Sequence, residues 1–351
     1  ICSLSAKYSL PSQPLLSLFE RSQDEQTIER MMWKLADHLI NTLPTRNRIY
    51  YVDVDAFHDP TYGHQQASLF NGYYGCECYL PYGICVSTEF GQQCLVYTKL
   101  RGGTASATEG LEDALNNLVT RLRTHNPKAR IILRGDAAYG CDAVLRMCHA
   151  LKIDYLLAMS TNTALEKLFE ELHACVVLQQ RLLAQGQLDV ERYQERLFDG
   201  RMYCAGSWEQ PERVVCRSYY DEQRRRIDAR YVICSMDMDP QAAYETYCGR
   251  CESENRWKEM KLYIKSGRTS CTRFLANRFR LLLHHAAYAL IQVLRQHLRG
   301  TQLAKASVET LRAKLLKTAV LVRRTQRSVT WRLPMHNPYE WAWRRLYARL
   351  A

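Results

Sequence analysis

The 351-residue chain carries a net charge of +12 and is long enough for one large or two medium domains with a well-buried core. No uninterrupted apolar run reaches the length of a membrane span: the most apolar stretch, near 279–294, is broken by Arg280, His284, His285 and Gln292. The 14 cysteines are scattered without a small-domain framework, which excludes a disulfide-stapled fold and reads as reduced thiols.

The distribution of charge says more than its total. Residues 251–351 hold 21 Lys and Arg against 5 Asp and Glu, a net of +16, whereas 1–250 carry −4. Basic residues interleaved with helix-forming apolar ones favour a polyanionic partner, most simply nucleic acid, over a solubilising tail. The chain begins at Ile1, which reads as an N-terminal truncation, and its start does not read as a signal peptide. No membrane partner is expected.

In chain order, 22–40 opens with a capping box, Ser22 and Glu25, and continues with Ile28, Met31, Met32, Leu35 and Leu39 at helical spacing. RIYYVDVDAF, 48–57, alternates: Ile49, Tyr51, Asp53 and Asp55 share one face, and Tyr50, Val52 and Val54 the other. Strands follow at 75–87, after the aromatic stretch FNGYYG, and at 92–103. Ser106 and Glu109 make a second capping box for a helix to about 124. ARIILRGD, 129–136, is an apolar strand ending in Asp136; 142–151 is a helix and 153–160 a buried strand. Residues 163–195 look helical, and 201–236 look like short strands around turn signals, read as an inserted β-rich subdomain. Helices at 247–261, 272–298 and 305–322 complete the order. The fold class is therefore α/β, a mixed sheet with an inserted β-rich subdomain and a helical C-terminal region. The domain reading is 1–47 helical, 48–160 first part of a catalytic core, 161–240 insertion, 241–300 remainder of the core, and 301–351 basic.

Asp55 and Asp136 stand at the ends of two strands, where function gathers in α/β sheets. Neighbouring strands run about 4.8 Å apart, so such carboxylates can approach one another. A third, Glu254, comes from YCGRCESENRWKEMK, 247–261. There Tyr247, Arg250, Glu254 and Lys261 fall at about 0°, 300°, 340° and 320° around a helix, a polar stripe where an ordinary amphipathic helix places leucines. Taken singly, each acid has a plainer role as a turn, cap or solvated helix residue. Together they make a hard oxygen cage for Mg²⁺ or Mn²⁺, with room for two ions about 3.5–4 Å apart as in phosphodiester cleavage. Glu252 and Glu259 lie about 160° and 140° from Glu254 and are set aside.

With these residues in view, the chain resembles the DDE transposases of bacterial insertion sequences. The resemblance is to the subgroup with a Y-(2)-R-(3)-E-(6)-K signature (insertion-sequence group 1380, within the group-4-like superfamily). Tyr247, Arg250, Glu254 and Lys261 keep every spacing, and VDVDAFHDPTYGHQQASLFNGYYGCECYLP, IILRGDAAYG and GRTSCTRFLANRFRLLLHHAAYAL match alongside, over about 12–333. The resemblance implies a ribonuclease-H-like core with a β-rich insertion between the second Asp and the Glu. It also implies divalent-metal-dependent hydrolysis at transposon ends, transfer of the freed 3′-OH into target DNA, a homodimer when two ends are synapsed, and a location in the bacterial cytoplasm in association with the nucleoid. Asp55, Asp136 and Glu254 would be the catalytic, metal-holding acids, and Tyr247, Arg250 and Lys261 would contact DNA, with Lys258 and Arg268 added as further DNA contacts. Phe57 stands where the family has a small hydroxyl residue, which leaves Asp53 as the alternative to Asp55. The rival functions are a nuclease without strand transfer and a catalytically impaired DNA-binding remnant.

Other features carry less. Cys248 and Cys251 form CGRC without a second pair, a weak zinc signal. Trp208 could stack on a DNA base but more simply belongs to a core. WAWRRLYARL, 341–350, reads either as a docking segment or as a basic tail.

Overall fold

The structure, a computed structural model, describes residues 11–350 other than 190, 192 and 327. Helices α1 (Gln13–Ser22) and α2 (Glu25–Ile40) precede strand β1 (Ile49–Ala56). The expected cap shifts: Asp24, whose carboxylate accepts from Thr27 N, opens α2, while Ser22 ends α1 with its hydroxyl bonded to Phe19 O. Three short strands follow, β2 (Asp59–Pro60), β3 (Leu69–Asn71) and β4 (Cys76–Tyr79). Next come β5 (Tyr82–Thr88), β6 (Gln93–Lys99), α3 (Leu111–His125), β7 (Arg130–Gly135), α4 (Asp142–Leu151) and β8 (Asp154–Met159). The stretch expected as one strand at 75–87 is thus two, parted at Leu80-Pro81, where proline cannot donate to a ladder. Gly110, in the left-handed region, starts α3 in place of the Ser106 box.

Helices α5 (Thr163–Leu168) and α6 (Glu170–Ala184) lead to β9 (Leu197–Tyr203), β10 (Glu212–Asp221) and β11 (Arg226–Cys234). Then come α7 (Pro240–Cys248), α8 (Cys251–Leu262), α9 (Phe274–His297), α10 (Val308–Leu311), a hairpin of β12 (Leu321–Arg324) and β13 (Val329–Arg332), and α11 (Glu340–Leu350). The helix expected over 305–322 stops early, through one π turn at Arg312–Leu316, before a β-branched run enters the hairpin.

One mixed sheet of eight strands organises the chain, in the order β6-β5-β1-β7-β8-β11-β10-β9. β1, β7 and β8 are mutually parallel, and the other pairings are antiparallel. The segment read as an inserted β-rich subdomain supplies β9–β11, which continue the same sheet through the β8–β11 pairing. Alternation in β1 sends Tyr50, Val52 and Val54 into the main core with α2, α3 and α4. Tyr51 and Asp53 face α7 on the opposite side, where Ile132, Leu156 and Val232 pack with Ala243. A third cluster, including Trp257, Tyr288, Leu311 and Leu346, joins α8, α9 and the C-terminal elements. In the last of these, Arg345 Nε and Arg349 Nη1 donate to His297 O at the end of α9, so 341–350 is a docked helix whose cations sit on a helix C-terminus.

β6 is an edge strand, and α9 covers it. Gln292 Oε1 accepts from Leu95 N (2.7 Å), while His285 Nε2 donates to Leu95 O (3.0 Å) and its Nδ1 meets Thr98 Oγ1 (2.9 Å). Burial pushes the His285 pKa down to about 4, against an ordinary 6.5. The neutral ring is thus the folded form. Its stability contribution is complete above pH 6.5 and is lost as pH falls toward 4. Urea unfolding at pH 7 and pH 4.5 should reveal a loss of roughly 2–3 kcal/mol from this group. His285→Gln, which can still donate to Leu95 O, should show a correspondingly smaller loss over the same interval.

Candidate active site

The site forms where β1 and β7 end. Val54 lies opposite Gly135 in the parallel register, so Asp55 and Asp136 leave adjacent strands side by side. α8 is brought to the same place by its underside. Trp257 lies over Gly83 of β5, the residue opposite Asp55, so closely that a Cβ there would stand 1.7 Å from Trp257 Cη2. Phe57, the residue out of keeping with the family pattern, packs on the same indole at 5.3 Å between ring centroids. One turn before Trp257, Glu254 reaches the acids.

Arg250 joins them. Its Nη1 is 3.3 Å from Asp55 Oδ2 and its Nη2 is 3.5 Å from Glu254 Oε1. Its guanidinium lies 6.0 Å from the Tyr247 ring centroid. Burial pushes the Asp55 carboxyl up to about 6; the like charges of Asp136 and Glu254 add to this, and Arg250 opposes it. Burial would lower the Arg250 pKa, but Asp55, Tyr247 and Asp136 outweigh it and hold the guanidinium charged. Asp136 also accepts from Ala138 N at 3.0 Å, which orders the turn after β7.

Asp53 occupies a different environment. It is fully buried in a bidentate pair with Arg134, Nε–Oδ1 2.6 Å and Nη2–Oδ2 2.8 Å. The third arm of Arg134 donates to Thr246 O at 2.7 Å. In a continuous helix that carbonyl would accept from Arg250 N; here Arg250 N turns to Tyr247 O instead (3.0 Å). Gly249 lies against the guanidinium, where a Cβ would stand 2.7 Å from Arg134 Nη1. The single helix expected over 247–261 is therefore two, α7 and α8, parted at Gly249-Arg250. Tyr247 ends the first and Glu254 lies on the second, so the four-residue stripe is not one helical face.

Lys261 sits farther along α8, donating to His58 O at 3.1 Å beside Asp59. Lys258 and Arg268 are exposed. Glu259 faces the other way, into a cluster with Arg295, Arg256 and Tyr288. Trp208 is buried against Tyr203, and Cys248 and Cys251 are exposed free thiols. Sequence reasoning missed Arg134, Gly83 and Trp257. An arginine deep in the apolar strand RIILRG, after Ile131, Ile132 and Leu133, was the available signal for the first; nothing in sequence marks the other two as a pair.

Among the described residues, no three His, Cys, Asp or Glu side chains are grouped closely enough to hold a metal ion. The donor chemistry nevertheless fits a hard divalent cation, because Asp55 and Glu254 already share one positive group, Arg250, and Asp136 adds repulsion that a cation would relieve.

Compared with known families, residues 2–351 match the family model described as transposase DDE domain group 1. The chain belongs to that family. No curated protein matches it. Membership gives a transposase-type enzyme, consistent with the mixed sheet and flanking helices, and no described helix is long and apolar enough to cross a membrane.

The two aspartates of β1 should separate in experiment. Asp53→Asn leaves the Arg134 charge buried without its counter-charge and should lower the unfolding free energy by roughly 3–5 kcal/mol. Asp55→Asn relieves repulsion while Arg250 keeps Glu254, so its effect in the same urea titration should be much smaller. Equal losses would contradict the separate environments described here.

Proposed function

We propose that this family member is a DNA transposase of the Y-R-E-K subgroup. It would hydrolyse phosphodiester bonds at the ends of an insertion sequence and transfer the resulting 3′-OH into target DNA. The observation that carries the reading is the bridge of Arg250 between Asp55 and Glu254, drawn from a strand and a helix nearly 200 residues apart, with Asp136 on the adjacent strand.

Asp55, Asp136 and Glu254 would hold Mg²⁺ or Mn²⁺, two ions in the full reaction, and the chemistry supplied on binding is activation of a water and stabilisation of the leaving oxygen. Around it, the chain's own residues have distinct tasks. Arg250, held charged against Tyr247, would meet the scissile phosphate when the acids take their ions. Lys261, fixed on His58 O, and the exposed Lys258 and Arg268 would bind flanking phosphates. Two copies of the chain would act on the two ends.

The direct test is nicking of a plasmid carrying the element in Mg²⁺. Glu254→Gln should abolish cleavage while DNA affinity stays within about twofold, since an uncharged isostere adds no repulsion to DNA. Loss of both activities would make Glu254 a folding residue and sink the assignment. For Lys258→Ala and Arg268→Ala, the plot of log affinity against log salt should flatten by about one unit each, equally for any DNA sequence. An unchanged slope would place the DNA surface elsewhere.

A further inference from the structure

Between the first and second acids the chain detours through a separate three-stranded sheet, in the order β2-β4-β3. Its turn, 71–75, is tightly built. Asn71 Oδ1 accepts from Tyr73 N (3.0 Å) and Tyr74 N (3.3 Å), Asn71 O accepts from Gly75 N (2.8 Å), and Asn71 Nδ2 donates to Gly103 O (2.9 Å). Gly75, at φ +65°, closes the turn in the left-handed region. Rigid as it is, the turn exposes large rings: Tyr73 is 89 % exposed and Phe70 62 %. Nothing in the packing of the fold requires this, and exposed apolar clusters of this kind mark interaction surfaces.

The rings are aligned with the candidate active site. His58, three residues beyond Asp55, is stacked under Tyr74 at 4.3 Å and 17°, and Tyr73 stands edge-on to Tyr74 at 4.9 Å and 90°. Tyr74 is close enough to the acids that, after burial and its neighbours Tyr73 and Cys78, the charges of Asp136 and Asp55 also push its phenol pKa up. A group of aromatic rings thus runs from His58, three residues beyond Asp55, to solvent, Tyr74 stacked on the imidazole and Tyr73 turned edge-on at the outside. A cationic loop borders the same small sheet at its base. Residues 265–273 are clasped to the base of the small sheet by Gln65 Nε2 to Thr269 O (2.7 Å), Gln66 N to Thr272 O (2.8 Å) and Thr269 Oγ1 to Asp59 Oδ2 (2.7 Å), and they present exposed Lys265, Arg268 and Arg273.

We propose that the 70–74 turn is a stacking platform for unpaired DNA bases next to the phosphate held at the acids, with Tyr73 as its outer ring and the 265–273 loop holding the backbone. The occupant is an opened strand rather than intact duplex, because a ring projecting from a tight turn can stack only on a base whose own face is free. Cations tracking a backbone beside aromatic faces are the pattern by which proteins hold single strands. The inference rests on the reading of the chain as acting on DNA and adds to it a local preference for melted ends.

The test compares a short blunt duplex with the same duplex carrying an unpaired fork, labelled with 2-aminopurine in the fork, in binding titrations without divalent metal. The wild type should bind the fork more tightly and quench the probe. Tyr73→Ala should lower fork affinity roughly tenfold, in the range of one lost stacking contact, abolish the quenching, and leave duplex affinity and its salt dependence unchanged. Tyr73→Phe, which keeps the ring and removes the hydroxyl, should retain the wild-type preference. Because Tyr73 is almost fully exposed, neither variant threatens folding, and Phe70→Ala gives an independent second probe. Equal losses on both DNAs, no loss on either, or failure of Tyr73→Phe overturns the platform. So does a changed oligomeric state of DNA-free Tyr73→Ala, which would make the turn a protein contact. If wild type binds neither DNA, the DNA reading itself has failed; if it binds both and is indifferent to residues 70 and 73, only the platform has.

Discussion

The ion pair between Asp53 and Arg134 governs much of what surrounds it. It joins β1 to β7 on the face that looks toward α7, with both side chains withdrawn from water and two parallel hydrogen bonds between them. Burying two charges is costly unless their remaining hydrogen-bonding capacity is used. Arg134 uses it: one arm holds the pair together, another takes Thr246 O, and the guanidinium lies over the Tyr51 ring at 4.5 Å. That carbonyl accepts from Arg134, while Arg250 N turns to Tyr247 O where the chain parts between α7 and α8. At the break Arg250 keeps a right-handed helical backbone and meets Glu254 one turn on and Asp55 at the end of β1. The buried pair thus ties β1 and β7 to the junction of α7 and α8, beside the candidate site.

Legibility in the sequence followed the range of the interactions. The strands around Asp55 and Asp136 could be read because period-two alternation and short apolar runs are local signals, and the parallel register then places both acids together. Proximity of Glu254 was readable only through its spacing to Tyr247, Arg250 and Lys261. One continuous helical stripe does not describe that spacing, because the helix parts at Gly249-Arg250, where Thr246 O accepts from Arg134, 112 residues away. Telling the environments of Asp53 and Asp55 apart was likewise beyond periodicity, since both share a face; their partners, Arg134 on the adjacent strand for one and Arg250 at the start of α8 for the other, separate them. The cap of α2 fell on Asp24 rather than Ser22 because two good acceptors lie two residues apart and α1 ends on the first.

Charge and aromatic surface are divided around the acids in a way composition only hinted at. Several basic residues of the last third are consumed structurally. Arg295 neutralises Glu259, Arg278 pairs with Glu25 and Glu29, and Arg345 and Arg349 cap α9. Lys258, Lys265, Arg268 and Arg273 remain exposed near α8 and the loop after it. The net charge of the region therefore overstates its capacity for a polyanion, and what capacity there is gathers on α8 and the loop after it.

The eight-stranded sheet also orders events in time. Strands β1, β5, β6 and β7 find one another within about 90 residues of chain, and β8 follows by one short helical crossover. β8 must then wait for β11, whose Tyr231 pairs with Met159 across the whole of α5, α6, β9 and β10. Closing so long a loop is entropically unfavourable and slow, and the reward comes only once the far strands dock. α7 follows β11 directly and packs on it and on β8 and β10, so Tyr247, Arg250 and Glu254 can reach the two aspartates only after that last pairing. A nascent chain of this protein would accordingly bring β1 beside β7, and Asp55 beside Asp136, well before Arg250 and Glu254 could join them.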